Sequence, residues 1–235
     1  MKERLKKNEY VKKYLEDSNY RALIGIYISL TINFAYAIFK GSNGIMYHSV
    51  WAFAIGVYYL LLGGIRFMLT HGARKRQGFD NDCEMMIHEC KIYRLCGIMM
   101  LIFDLIIAAM MMQMVWQNQV SKYSQLVVIV SACFTFYFFV MSIINAVRFR
   151  KRHSPILEAA KNLSLTGALM AMYNLQNSML QAFGDTFHLA RLQFNLLSGT
   201  FIMMALLSIA LYMVIDGSLR VKKHEGELEE YMEEI

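Results

Sequence analysis

The sequence predicts an all-α, polytopic membrane protein whose six transmembrane helices follow one another as three hairpins. Three observations carry that expectation. Hydrophobic residues fill 57% of the 235 positions and there is one proline, an apolar excess for which a soluble domain has no use. Six apolar runs approach or exceed the roughly 20 residues a helix needs to cross about 30 Å of hydrocarbon. Lys and Arg gather in alternate connections rather than in one patch, the placement that membrane topology imposes.

Residues 1–21 read as a basic amphipathic segment, with Leu5, Val11, Tyr14 and Leu15 on a rough apolar side among six lysines and arginines. Such a segment suits an anionic membrane surface, and equally a solvated tail. The membrane domain covers 22–215, with spans at about 22–39, 46–69, 95–116, 124–147, 162–183 and 193–215. Lys40-Gly-Ser-Asn-Gly44 is rich in loop formers and reads as a tight turn. Trp51 and Trp116 read as interfacial anchors. A long polar connection occupies 70–94, and a basic one holds Pro155. The tail 216–235 begins basic, ends acidic and reads as solvated.

Of the 24 lysines and arginines, 21 fall on the side that holds both termini. The other side has Lys40, Lys122 and Arg191. The positive side faces the cytoplasm, so both ends of the chain are expected there. Compact connections and the lack of a cleavable signal suggest a cell membrane of bacterial inner-membrane type.

A weak threefold pattern runs through the even spans: Tyr58, Gly63 and Arg66 align with Tyr137, Ser142 and Asn145, and with Tyr212, Gly217 and Arg220. Among the odd spans, Ser29-Leu-Thr31 aligns with Ser164-Leu-Thr166. Internal repeats are common in transporters, whose sites form at the repeat interface near the midplane.

Asp104 is the foremost candidate for chemistry, because no other carboxylate lies so deep in an apolar run. A charge there costs roughly 2.5–3.5 kcal/mol on insertion scales unless it is paired or hydrated. Such a group can exchange a proton or hold a sodium ion; the plain structural reading is a protonated hydrogen-bonding link between helices. The fifth span is the second candidate. Thr166, Met170, Asn174, Asn177 and Gln181 recur at steps of three and four and share one helix face. Amides there cannot face lipid without unsatisfied groups, so the face meets other helices or a wet cavity. Asn174, Asn177, Gln181, Thr166 and Thr31 are the solute-contact candidates. Asn33, Gln113, Asn145 and Asn195 read as packing links, and Arg66 and Arg148 as side chains reaching to the headgroups.

No catalytic residue is assigned, since G-x-S-x-G, H-E-x-x-H, P-loop and G-x-G-x-x-G motifs are all missing. Cys83, His88 and Cys90 lack structural-zinc spacing, so no metal or other cofactor is expected. The placement of the basic residues argues against nucleic acid as a partner. The expected partners are the lipid bilayer, a small solute or ion, and either a membrane protein or further copies of the chain.

The first functional expectation is a small permease with Asp104 coupled to an ion or proton. The alternative is a non-catalytic membrane subunit that captures substrate for, or regulates, a larger complex. In size and span count alone the chain resembles the substrate-binding subunits of vitamin uptake systems.

Overall fold

A computed structural model of the chain describes residues 18–75, 82–116, 124–149, 154–183 and 188–233, with side chains described over 24–73, 83–113, 124–147, 154–180 and 193–228. The segment expected over 1–21 therefore lies almost wholly outside the described residues. Every described element is helical: α1 (Ser18–Met46), α2 (Val50–Lys75), α3 (Asp82–Trp116), α4 (Gln125–Phe149), α5 (Pro155–Phe183) and α6 (His188–Glu233). Five of them, α1 to α4 and α6, are long and apolar enough to cross a membrane. The chain is a multi-pass, all-helical membrane protein.

The junction of α1 and α2 departs from the sequence expectation. Lys40 to Gly44 is not a turn; α1 continues through it to Met46. The chain reverses over Tyr47, His48 and Ser49. The His48 amide bonds to the Ile45 carbonyl and the Ser49 amide to the Gly44 carbonyl, the pairing of a Schellman cap. His48 takes the left-handed residue of that cap, at φ 49°. The Ser49 hydroxyl then accepts the Ala52 amide and caps α2. Gly44 serves close packing: a Cβ on it would lie 2.5 Å from the Phe53 nitrogen, and one on Gly56 would lie 2.7 Å from the Gly41 nitrogen. Sequence composition cannot tell a glycine that turns the chain from one that lets two helices touch.

Successive helices run antiparallel. On α3 and α6, Lys91 pairs with Glu225, Gly97 abuts Met213, and Gly199 abuts Met111. The most extensive packing joins α1 to α2, α3 to α6, and α4 to α5. Thus α3 and α4, neighbours in the chain, are each paired chiefly with another helix. The three tyrosines aligned by the threefold pattern have unequal surroundings: Tyr58 is buried, Tyr137 half-buried and Tyr212 exposed.

At the end rich in basic residues, α3 and α6 continue past the apolar bundle and pack along each other. Arg220 bonds Glu158 and Asp216, both at 2.8 Å, and Glu89 accepts the Ser154 hydroxyl. Pro155 opens α5, where its missing amide costs no helical bond.

The helix α5 occupies the centre. It packs against α2, α3, α4 and α6, and from Pro155 to Leu180 its only exposed residues are Leu165, Met172 and Met179. These recur every seven positions, so a single narrow edge reaches lipid. That burial explains why a 29-residue helix with so many amides and hydroxyls lies in the bundle although it lacks the apolar character of the other five.

Candidate functional site

The polar side of α5 meets hydroxyls, amides and charges from four other helices. The Asn174 amide donates to the Tyr36 hydroxyl at 2.9 Å, and the Tyr59 hydroxyl donates to the Gly167 carbonyl at 2.7 Å. The Thr135 hydroxyl is shared between the carbonyls of Ser131 and Ala171. Asn195 donates to Asn177 at 3.1 Å, and Gln176 donates to Ser198. From Ala160 to Ser178 this column rises about 27 Å, close to the full hydrocarbon thickness.

Asp104 is completely buried. Its Oδ1 accepts the Tyr58 hydroxyl at 2.8 Å, and its Oδ2 has no partner among the described residues. Tyr58 and Tyr59 are consecutive on α2 and their rings meet edge to face at 5.9 Å. One therefore serves α3 and the other α5. Their side-by-side placement at the middle of a span was the available sequence signal for this bridge.

Arg66 does not reach the headgroups. It is 1% exposed, because α2 turns that face toward α4 and α5. Its Nη2 donates to the Ser164 hydroxyl at 3.2 Å, which also accepts the Asn145 amide at 2.7 Å and donates to the Ala160 carbonyl at 2.9 Å. The Arg66 Nε and the Tyr137 hydroxyl are both buried without a partner among the described residues. Tyr137 and Tyr59 lie within electrostatic reach of the guanidinium.

Near the opposite end, Lys40 is 1% exposed rather than in a connection. Its Nζ donates to Ser131 at 3.0 Å and stands 5.8 Å from the ring centres of Tyr36 and Phe39. Trp51 is likewise buried, edge-on to Tyr173 at 5.8 Å. It is a core residue and not an interfacial anchor.

The solute-contact candidates divide. Thr166, Asn174 and Asn177 are buried in the column. The Thr166 hydroxyl has no partner among the described residues, and Asn177 pairs with Asn195. Thr31 is set apart: it is exposed on α1 and bonds back to the Tyr27 carbonyl. Gln181 lies in the last turn of α5, and its side chain is outside the described residues. Asn33 is buried with neither amide atom partnered among the described residues, and Gln113 is exposed. Among the described residues, no group of three or more His, Cys, Asp or Glu side chains could hold a metal ion.

Two cavities formed by described residues are apolar. One, of about 510 Å³, lies between α4, α5 and α6, lined by Phe136, Phe139, Met172, Gln176 and Phe194 among others. The other, about 150 Å³, lies between α2 and α3 beside Tyr58. Neither is lined by Asp104 or Asn177.

Comparison with models of known protein families and with curated proteins finds no match.

Proposed function

We propose that the chain is a small membrane permease in which Asp104 responds to a proton or ion and the polar side of α5 lines the solute path. The observation that supports this is the depth of the polar column. Isolated links between helices need one or two hydrogen bonds. Here polar groups follow α5 for about 27 Å, and several, including Thr166 Oγ1, Tyr173 Oη and Asn195 Oδ1, have no partner among the described residues, as is also true of Asp104 Oδ2 on α3. Each such group costs on the order of a few kcal/mol in hydrocarbon. Groups retained at that cost are characteristic of ion and substrate pathways. In this reading both termini face the cytoplasm and the membrane is a bacterial inner membrane.

The test compares the wild-type chain with Asp104→Asn in proteoliposomes, following internal pH and sodium under an imposed gradient. Flux in the wild type that the variant loses, with its fold retained, supports the reading. Equal flux in both removes Asp104 from the coupling role.

One observation favours a second reading, a non-catalytic subunit of a larger membrane complex. The described cavities are apolar: the larger touches the polar column only at Thr135 and Gln176, and neither is lined by Asp104, Asn174 or Asn177. In that case the purified chain carries no flux alone, and a defined membrane partner co-purifies with it.

A further inference from the structure

Arg66 is a charge that the described protein leaves unneutralised. A guanidinium has five N–H donors, and Arg66 uses one, on the Ser164 hydroxyl. Among the described residues its charge pairs with no carboxylate. Breaking a buried ion pair so that one charge stands alone is strongly destabilising, so a lone desolvated guanidinium calls for an anion from elsewhere. The groups around it are donors too. Asn145 turns one amide N–H to Ser164, and Tyr137 brings a buried hydroxyl with no partner among the described residues. Ser164 accepts twice and donates once, so it has no lone pair left for the remaining Arg66 protons.

We propose that Arg66, Asn145 and Tyr137, the first two oriented by Ser164, form a binding site for a small anion presenting carboxylate or phosphate oxygens. A planar guanidinium matches such oxygens two at a time. The anion arrives as a solute. Arg66 lies seven residues before the end of the α2 span at Ala73, about 10 Å within it, and it faces the bundle rather than the lipid. The site is separate from Asp104, because Arg66 follows Tyr58 by eight positions, about 12 Å along α2. This inference deepens the permease reading by giving its solute a charge and a recognising group, yet binding itself requires no transport.

The experiment is thermal unfolding of the full chain in nanodiscs of zwitterionic lipid. Sodium acetate and sodium phosphate are titrated against sodium chloride at equal ionic strength. The expected result is a saturable rise, roughly 3–6 °C at ten times the dissociation constant. Arg66→Gln abolishes the rise, and Tyr137→Phe, which keeps the charge and the ring, weakens the affinity about tenfold. Arg66→Gln removes a desolvated charge, so it is expected to fold; should it fail to, Tyr137→Phe decides alone. No rise above chloride in the wild type overturns the site. So does a rise that both variants keep. A rise seen only when phosphatidylglycerol replaces zwitterionic lipid assigns the donors to a headgroup and overturns the solute. Saturable binding without flux leaves the site standing and removes the permease reading.

Discussion

Tyr58 is the one described hydrogen-bond donor to Asp104, and it reaches Oδ1 alone. The two residues stand 46 positions apart and tie α2 to α3 at mid-bundle. Loss of the hydroxyl leaves a buried carboxyl with no partner. Tyr58→Phe is therefore expected to lower stability by about 1–3 kcal/mol. Asp104→Asn keeps an oxygen acceptor and is expected to change stability by less than about 1 kcal/mol. Detergent-titrated unfolding of both variants checks the order; a Tyr58→Phe protein as stable as wild type shows that the bond contributes nothing.

Gradient-driven flux should separate the same two variants differently. Asp104→Asn cannot exchange a proton, so its flux is expected to fall at least tenfold and to lose its dependence on pH. Tyr58→Phe retains the carboxyl and is expected to keep a pH-dependent flux. Measuring both over pH 5 to 8 distinguishes a carboxyl that takes part in coupling from one that only joins helices.

The α1–α2 seam contains its own control. Gly44→Ala places a carbon 2.5 Å from the Phe53 nitrogen, whereas a Cβ on Gly41 meets nothing within 4 Å. Both positions are helical. Gly44→Ala is expected to destabilise by roughly 1–3 kcal/mol, the usual cost of overpacking. Gly41→Ala is expected to be neutral or to stabilise by up to about 1 kcal/mol through helix propensity. If the two variants unfold alike, the close approach of these helices is not what those glycines serve.

Orientation has a direct chemical readout. Cys83 lies near the start of α3, at the basic end, while Ser124 precedes α4 at the other end and is exposed. With both termini in the cytoplasm, a membrane-impermeant maleimide added to intact cells labels Ser124→Cys and leaves Cys83 unmodified until the membrane is opened. The reverse pattern inverts the topology.

Much of the fold was legible before any coordinates, and the reason lies in the bilayer. Hydrocarbon thickness fixes span length, so apolar runs and basic connections marked the helices. It also made Asp104 and the amide face of α5 conspicuous, since such groups are kept from lipid; both are buried. The missed features depend on distant partners. Lys40 read as part of a connection because its hydrogen-bond partner Ser131 lies 91 positions away. Arg66 read as a headgroup contact because Ser164 is 98 positions away. A local hint existed for Lys40: Tyr36 and Phe39 lie one turn and one residue before it, an aromatic setting uncommon for an exposed lysine. Trp51 shows the same ambiguity, for an indole near a span end serves an interface or a core equally well until its neighbours are known.

The polar, central character of α5 also constrains how the protein is made. A translocon releases a segment into lipid according to that segment's own preference for hydrocarbon, and α5 has little. The helices α1 to α4 leave the ribosome first, and each is long and apolar enough to cross. When α5 follows, Asn174 finds Tyr36 of α1 already made, while Gln176 and Asn177 gain Ser198 and Asn195 only when α6 closes the remaining side. The helix with the most polar groups is the one whose entry depends on company.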